Sequence, residues 1–168
     1  GIPVRSPVGV TAANHRRGVG SLLRSRPMER RRVSSGSPFE PRVGFSRALR
    51  VGQRVLVSGT APVWPDGSCD PDPASQARRC FAIILAALAE LGGRPADVVR
   101  TRTYLVDRND WESIGRVHGE IFGEIRPAST MVVVAGLLDP RWRVEIEAEA
   151  ILDDAADPPD DTGSGSAT

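Results

Sequence analysis

Lysine is absent from this chain, because each of its 22 basic residues is an arginine. Chemistry that depends on a lysine amine is therefore excluded: Schiff-base catalysis, a P-loop nucleotide site and a lysine general base. Histidine is scarce as well, since His15 and His118 are the only two and stand far apart. No group of residues has the spacing of zinc ligands, so the sequence predicts no metal site and no other cofactor.

Cysteines and long apolar runs are also rare. Cys69 and Cys80 fall in a predicted turn and a predicted helix, a pattern that favours reduced thiols over a disulfide framework. The first 32 residues contain no sustained apolar run, which argues against a signal peptide and a membrane span. We therefore expect a cytoplasmic protein with no membrane partner.

Charge divides the chain into three parts. Residues 1–32 carry eight arginines and one glutamate, and residues 153–168 carry five aspartates and no basic residue. Such biased ends are typical of disordered segments, so we predict one domain over residues 33–152 with a disordered arm on each side. The first arm either binds nucleic acid or an acidic partner, or extends the chain upstream of a natural start at Met28. The second interpretation is favoured, because scattered arginines without aromatic residues are a weak nucleic-acid signal.

Periodicity predicts a hairpin and two helices in the domain. The hairpin turns at residues 51–54 around Gly52. Asp72 and Pro73 begin the first helix, which stops at Gly92 and has an apolar stripe of Ala77, Cys80, Ile84, Leu88 and Leu91. After a strand at residues 98–106, a capping box of Asn109 and Glu112 begins the second helix. Its stripe is Trp111, Ile114, His118, Ile121 and Ile125.

Two further strands end the domain. Residues 126–134 are interpreted as a turn followed by a buried strand, and in residues 141–152 apolar side chains alternate with Glu145, Glu147 and Glu149. Three carboxylates on one strand face are costly to bury unpaired, so we expect solvent, arginine or another subunit beside them. The fold class is then α+β, with two helices on one face of a mixed sheet and a homo-oligomer covering the other face.

Several segments together resemble one known family. VSGTAP at 57–62, VVRTRTYLVDRNDW, VHGEIFG, RPASTMVVV and VEIEAEAI occur in that order. They resemble the YjgF/RidA family, also called L-PSP endoribonuclease-like proteins, over about residues 38–152. The resemblance implies a chorismate-mutase-like fold and a homotrimer with a cleft at each subunit interface. In the best-known branch it implies hydrolysis of reactive imines or enamines to 2-keto acids and ammonia.

The resemblance also implies site residues. Glu145 stands at the position of the glutamate thought to bind the attacking water. Ser58 and Gly59 lie at a strand end that lines the cleft, and Phe45 replaces a tyrosine. No cofactor is expected, and the expected partner is a small-molecule ligand.

Two positions depart from the deaminating branch. That branch has an arginine that binds the substrate carboxylate through two hydrogen bonds, and here Ser129 stands in its place, while Gly115 replaces an asparagine. Arg126 is three residues earlier, so in an extended chain its side chain would leave from the opposite face, about 10 Å away. Ser129 and Thr130 either bind substrate in the cleft or satisfy backbone groups at the strand entrance.

Three functions are compatible with these features. The first is hydrolysis of an imine or enamine, with Glu145 orienting water and Gly59 or Thr60 holding the electrophile. The second is a trimer that binds a small ligand without turnover, which the missing arginine favours. The third is RNA binding or cleavage, which ranks last because the domain is nearly neutral and lacks paired histidines and lysine.

Overall fold

A six-stranded mixed sheet organises the domain in the computed structural model, which describes residues 28–153. In chain order, the elements are β1 (Arg30–Val33), α1 (Phe39–Val43), β2 (Ala48–Val51), β3 (Arg54–Thr60), α2 (Pro73–Glu90), β4 (Val98–Leu105), α3 (Trp111–Phe122), β5 (Ala128–Val133) and β6 (Val144–Ile151). The strands lie side by side in the order β1-β2-β3-β6-β4-β5. All neighbours are antiparallel except β4 and β5, which are parallel. The predicted α+β class with a mixed sheet is confirmed.

The core lies between the sheet and the two long helices. Helix α2 begins as predicted, because the Asp72 carboxylate accepts a hydrogen bond of 2.8 Å from the backbone N–H of Ser75 and Pro73 follows it. All five residues of its predicted stripe are buried. Gly92 then adopts a φ of 88°, a left-handed conformation that favours glycine and ends the helix.

The start of α3 differs from the prediction. Asn109 and Glu112 form no capping box, because Asp107 accepts the backbone N–H of Asn109 at 2.9 Å and stabilises a short 3-10 turn before the helix. Helix α3 therefore begins at Trp111, whose side chain is 57% exposed instead of buried. The buried face of the helix consists of Ile114, Val117 and Phe122.

The edges of the sheet also differ from the predictions. Strand β1 starts at Arg30, inside the segment 1–32 that was predicted to lie outside the domain. Its Arg31 guanidinium donates to the backbone carbonyl of Glu90 at the end of α2, at 3.3 Å. Residues 1–27 and 154–168 lie outside the described residues. Strand β5 was predicted to be buried because of its run of valines, but it lies at the opposite edge and most of its side chains are exposed.

Strand β6 lies in the middle of the sheet, between β3 and β4. Its apolar residues Val144, Ile146, Ala148 and Ala150 are buried against the helices, and its three glutamates lie on the opposite face, as the alternation predicted. We call this opposite face the outer face. None of the helices within residues 28–153 has both the length and the apolarity needed to cross a bilayer.

Candidate functional site

Two of the three outer-face glutamates are bound by arginine. Glu149 accepts from Arg54 at 2.7 Å and from Arg102 at 3.3 Å. Glu147 accepts from Arg102 at 2.6 Å, and the Tyr104 hydroxyl donates to it at 3.3 Å. The expectation that arginines meet these carboxylates is confirmed for Glu147 and Glu149. Because the pairs are partly exposed, each adds little stability, and their main effect is to occupy the two carboxylates.

Glu145 is different from its two neighbours. It lies opposite Tyr104 in the register of β6 and β4, yet within residues 28–153 its carboxylate has no hydrogen-bond partner. Its Oε1 atom lies against Gly59, so closely that a Cβ atom built on that glycine would overlap it. The register of β3 and β6 shifts between Val57 and Thr60. Gly59 thus belongs to an irregular, bulged segment of the type often found beside functional sites.

The surroundings of Glu145 change its acidity. Partial burial raises the pKa of the Glu145 carboxyl, the nearby Arg47 guanidinium opposes that rise, and the Glu147 carboxylate adds to it. Burial disfavours the charged form, and no hydrogen bond from the described residues stabilises it. A carboxylate in this position is a stronger base than an exposed glutamate and has its lone pairs free for water.

Arg47 was not among the residues predicted for the site. Its guanidinium donates to the backbone carbonyls of Ser58 and of Gly59, the latter at 2.7 Å. Its Nε atom is buried and has no acceptor within the described part of the chain. Nothing in the sequence distinguishes Arg47 from the other arginines, because its role depends on the pairing of β2 with β3 and of β3 with β6.

The other residues predicted for the site, at or near β3, differ in their exposure to solvent. The Ser58 hydroxyl donates to the carbonyl of Ser46 at 2.8 Å, and Ser58 is partly exposed beside Gly59. Thr60 was predicted to hold the electrophile, but it is fully buried and its hydroxyl donates to the Ser58 carbonyl at 2.8 Å. Its hydroxyl is therefore not offered to a ligand in the single chain. Phe45 follows the left-handed Gly44 after α1 and is 42% exposed.

Ser129 and Thr130 lie on opposite faces of the sheet. Ser129 pairs with Thr101, and its hydroxyl accepts from the Thr101 hydroxyl at 3.1 Å, which in turn contacts Nε2 of His118 at 2.9 Å. This places Ser129 on the helix side, away from Glu145. Thr130 pairs with Arg102 and lies on the outer face. Within a single chain Ser129 and Thr130 therefore face different surfaces, because neighbouring residues of a strand point in opposite directions, and their binding of substrate in a cleft between subunits stays a prediction.

His118 has the structural surroundings expected of a helix residue near the core. Its ring packs against Phe81 and Phe122, with ring centroids 5.9 Å and 4.9 Å away. Burial lowers the pKa of the His118 imidazole, so the neutral ring is favoured at neutral pH.

Arg126 does not take the extended conformation on which the predicted direction of its side chain rested. Its φ is 53°, in the left-handed region, because its N–H donates to the Phe122 carbonyl at 2.8 Å and closes the end of α3. Its Nε atom donates to the carbonyl of Gly123 at 3.1 Å. The guanidinium is thus directed to the helix end, and the chain does not place it beside Glu145.

Comparison with known proteins identifies the family. The family model described as Endoribonuclease L-PSP matches residues 36–152. The chain belongs to the YjgF/RidA family. The crystal structure of Rv2704 from Mycobacterium tuberculosis, a member of the YjgF/YER057c/UK114 family, is 45% identical with a TM-score of 0.68 and covers 74% of this chain and 100% of that chain.

Two relatives show the range of this YjgF/RidA family. The protein SCO2049 of Streptomyces coelicolor is 41% identical over 121 residues, which are 71% of this chain and 90% of that protein. The 2-iminobutanoate/2-iminopropanoate deaminase of Escherichia coli is 32% identical over 112 residues, which are 64% of this chain and 86% of that enzyme. The family therefore includes deaminases of 2-imino acids.

Proposed function

We propose that this protein hydrolyses a small imine, enamine or related reactive metabolite, with Glu145 binding and activating the water. The observation that carries the proposal is the contrast along β6: Glu147 and Glu149 are bound by Arg102, whereas Glu145 rests on Gly59 with no hydrogen-bond partner in residues 28–153. A carboxylate with free lone pairs and a raised pKa suits general-base catalysis. The relationship to an imino-acid deaminase supports the same chemistry.

The reaction requires one water and no external reagent. The water oxygen attacks the carbon of the C=N bond while Glu145 accepts one water proton and passes it to the imine nitrogen, which forms a neutral carbinolamine. Glu145 then takes the proton of the new hydroxyl group and passes it to the same nitrogen as the C–N bond breaks. The products are a carbonyl compound and ammonia, and Glu145 is again a carboxylate.

We place this reaction in a cleft between subunits of a homotrimer. Glu145 lies on the outer face of the sheet, where Leu56, Ser58 and Tyr104 are only partly covered. Strand β5 pairs with β4 on one side, and within residues 28–153 no strand pairs with its other side. A second subunit would cover both surfaces and exclude water from the site, which strengthens the electrostatic interactions inside it.

The substrate class follows from the groups that the chain presents. By the sequence resemblance, Ser129 takes the position of the carboxylate-binding arginine of the deaminating branch, and its hydroxyl is directed to Thr101 on the helix side. Arg126 is directed to Gly123. Because neither residue offers a guanidinium to the outer face, we propose substrates without a free carboxylate beside the C=N carbon.

Ammonia release from freshly generated imines tests the proposal. A 2-imino acid produced by an amino-acid oxidase is compared with a neutral imine produced by an amine oxidase, each with the native protein and with Glu145→Gln. Glu149→Gln is the matched control, because it makes the same change on the same face of the same strand. We expect acceleration of neutral imine hydrolysis that is lost in Glu145→Gln and kept in Glu149→Gln. Equal loss in both variants, or acceleration that survives Glu145→Gln, would refute the role of Glu145.

A ligand-binding trimer without turnover is the second candidate, and the position of Ser129 favours it. A site that lacks the carboxylate-binding arginine retains the pocket but loses the group that orients an imino acid for attack. Saturable binding of the carbonyl product by calorimetry, with no acceleration for any imine tested, would support this function over hydrolysis.

A further inference from the structure

Arg47 is held in place from two directions. Its backbone N–H donates to the Val33 carbonyl at 3.0 Å, and its own carbonyl accepts from the Ser58 N–H at 3.1 Å. The guanidinium then reaches the carbonyls of Ser58 and Gly59. The side chain of Arg47, which immediately precedes β2, therefore links the start of that strand to the irregular segment of β3, where regular strand pairing is interrupted.

The segment that Arg47 holds is the surface on which Glu145 rests. The Arg47 guanidinium is 2.7 Å from the Gly59 carbonyl, and the Glu145 carboxylate lies against the same glycine. A change in the path of the backbone at Gly59 would therefore move the support of the carboxylate. The contacts run in sequence from Arg47 to Gly59 and from Gly59 to Glu145.

Charge connects the same two residues. Burial lowers the pKa of the Arg47 guanidinium, and the carboxylates of Glu40 and Glu145 oppose that change. Glu40 is already bound, because it accepts from the Ser34 hydroxyl at 2.5 Å, from the Ser35 hydroxyl at 2.6 Å and from the Ser35 N–H at 2.8 Å. Glu145 has no such donors among residues 28–153, so the arginine is its principal source of positive charge.

We infer that Arg47 is a positioning residue for Glu145: its guanidinium fixes the Ser58–Gly59 segment on which the carboxylate rests and places a positive charge near it. The catalytic consequence rests on the proposed function, whereas the effect on Glu145 itself does not. Lysine would keep the charge but not the planar donor arrangement that binds two carbonyls. Methionine would remove both.

Two charged groups change the pKa of Glu145: Arg47 lowers it and Glu147 raises it. The Glu145 carboxylate in turn adds to the raised pKa values of Tyr104 on β4 and Cys80 on α2, for which burial is the larger cause. Because burial and Glu147 act in one direction, Arg47 is the group whose removal would raise the pKa of Glu145 further.

Carboxyl-carbon NMR of protein labelled with [13C]glutamate tests the inference without any substrate. The resonance of Glu145 is assigned by its loss in Glu145→Gln, and its titration is followed in Arg47→Met, Arg47→Lys and Arg54→Met. Arg54→Met is the matched control, because it removes one arginine that binds Glu149 on the same sheet. We expect the Glu145 midpoint to rise in Arg47→Met and to stay at its native value in Arg54→Met.

Arg47→Lys keeps the positive charge but loses the planar hydrogen-bond donors. It therefore tests the inference even if the Arg47→Met protein does not fold. We expect a Glu145 midpoint near the native one, a changed amide shift of Gly59, and hydrolysis of the neutral imine roughly tenfold slower, since the carboxylate loses its support. An unchanged midpoint in Arg47→Met, an equal rise in Arg54→Met, or native Gly59 shifts in Arg47→Lys would each overturn the inference. If the Glu145 midpoint shifts as expected in these variants but the native protein hydrolyses no imine, only the proposed function is refuted.

Discussion

Glu145 and Gly59 share one small space: the carboxylate of the first occupies the position that a side chain on the second would need. The backbone of Gly59 is not in the left-handed region, unlike that of Gly44 or Gly92. Glycine is therefore required at position 59 for room and not for backbone conformation. Sequence spacing alone does not show such a requirement, because the two residues are on different strands.

Gly59→Ala should displace Glu145 and slow hydrolysis of the neutral imine. The added methyl group overlaps Oε1, so the carboxylate must move, and a misplacement of about 1 Å lowers kcat/KM by roughly ten- to hundredfold. Gly136→Ala is the control, since a Cβ atom there meets nothing within 4 Å. Steady-state kinetics of both variants that match the native protein would show that the contact has no catalytic consequence.

Glu145→Gln should stabilise the fold at neutral pH. The folded-state pKa of this carboxyl is raised. Below its unfolded-state pKa the group is protonated in both states and does not affect the free energy of unfolding. As pH rises from there through the folded-state pKa, the group lowers the free energy of unfolding increasingly. We expect Tm to rise by no more than about 3 °C at pH 7, because the half-exposed group is partly screened by water. The difference should disappear below about pH 4, where glutamate is protonated in both states. A gain that is equal at both pH values would point to packing instead of ionisation.

Ser129→Arg should increase the turnover of 2-imino acids in the proposed cleft between subunits, where the helix-side face of β5 in one subunit would meet Glu145 of another. A bidentate arginine–carboxylate pair in place of a neutral hydroxyl contributes on the order of 1.5 to 3 kcal/mol, so we expect kcat/KM for these substrates to rise roughly ten- to hundredfold. Thr130→Arg adds the same charge on the other face of β5 and serves as the control. An equal gain from Thr130→Arg would mean that general charge attraction, and not a defined pair, recruits the carboxylate.

Gln76→Leu should destabilise the domain strongly. Gln76 is fully buried, and its amide nitrogen donates to the carbonyls of Asp70 and Arg141 at 2.7 and 2.9 Å, while its oxygen accepts the Arg143 N–H at 2.7 Å. Leucine has a similar volume but leaves these backbone groups unpaired, at a cost of about 2 to 4 kcal/mol. Urea unfolding monitored by circular dichroism measures the loss. The exposed Gln53→Leu should change the free energy of unfolding by less than about 0.5 kcal/mol, and equal effects would contradict this explanation.

The elements whose sequence signals lie close together in the chain were predicted well. Helix α2 has its cap at Asp72 and its stripe within the next twenty residues, so all its signals are local. Strand β6 is marked by the alternation of glutamate with apolar residues. Helix α3 was less accurate, because Asp107 and Asn109 are close in sequence and both suit a helix start.

The candidate site was predicted only in part, because its geometry depends on strand order. The relevance of Glu145 and Gly59 followed from the family resemblance, but Arg47 lies close to Glu145 only because β6 inserts beside β3. No periodicity in a sequence encodes which strands become neighbours. The face on which Ser129 lies depends likewise on its register with Thr101. Residues that act across strands were therefore the ones that sequence reasoning missed.

The central position of β6 has a consequence for how the chain acquires its fold during synthesis. Within the described sheet, β1, β2 and β3 form one half and β4 and β5 the other, and only β6 is paired with both. A nascent chain that has not yet released residues 144–151 from the ribosome has two separate half-sheets, each with an unpaired inner edge. Pairing between the half-sheets of different chains is the error to which a delay before β6 pairs would expose the folding chain.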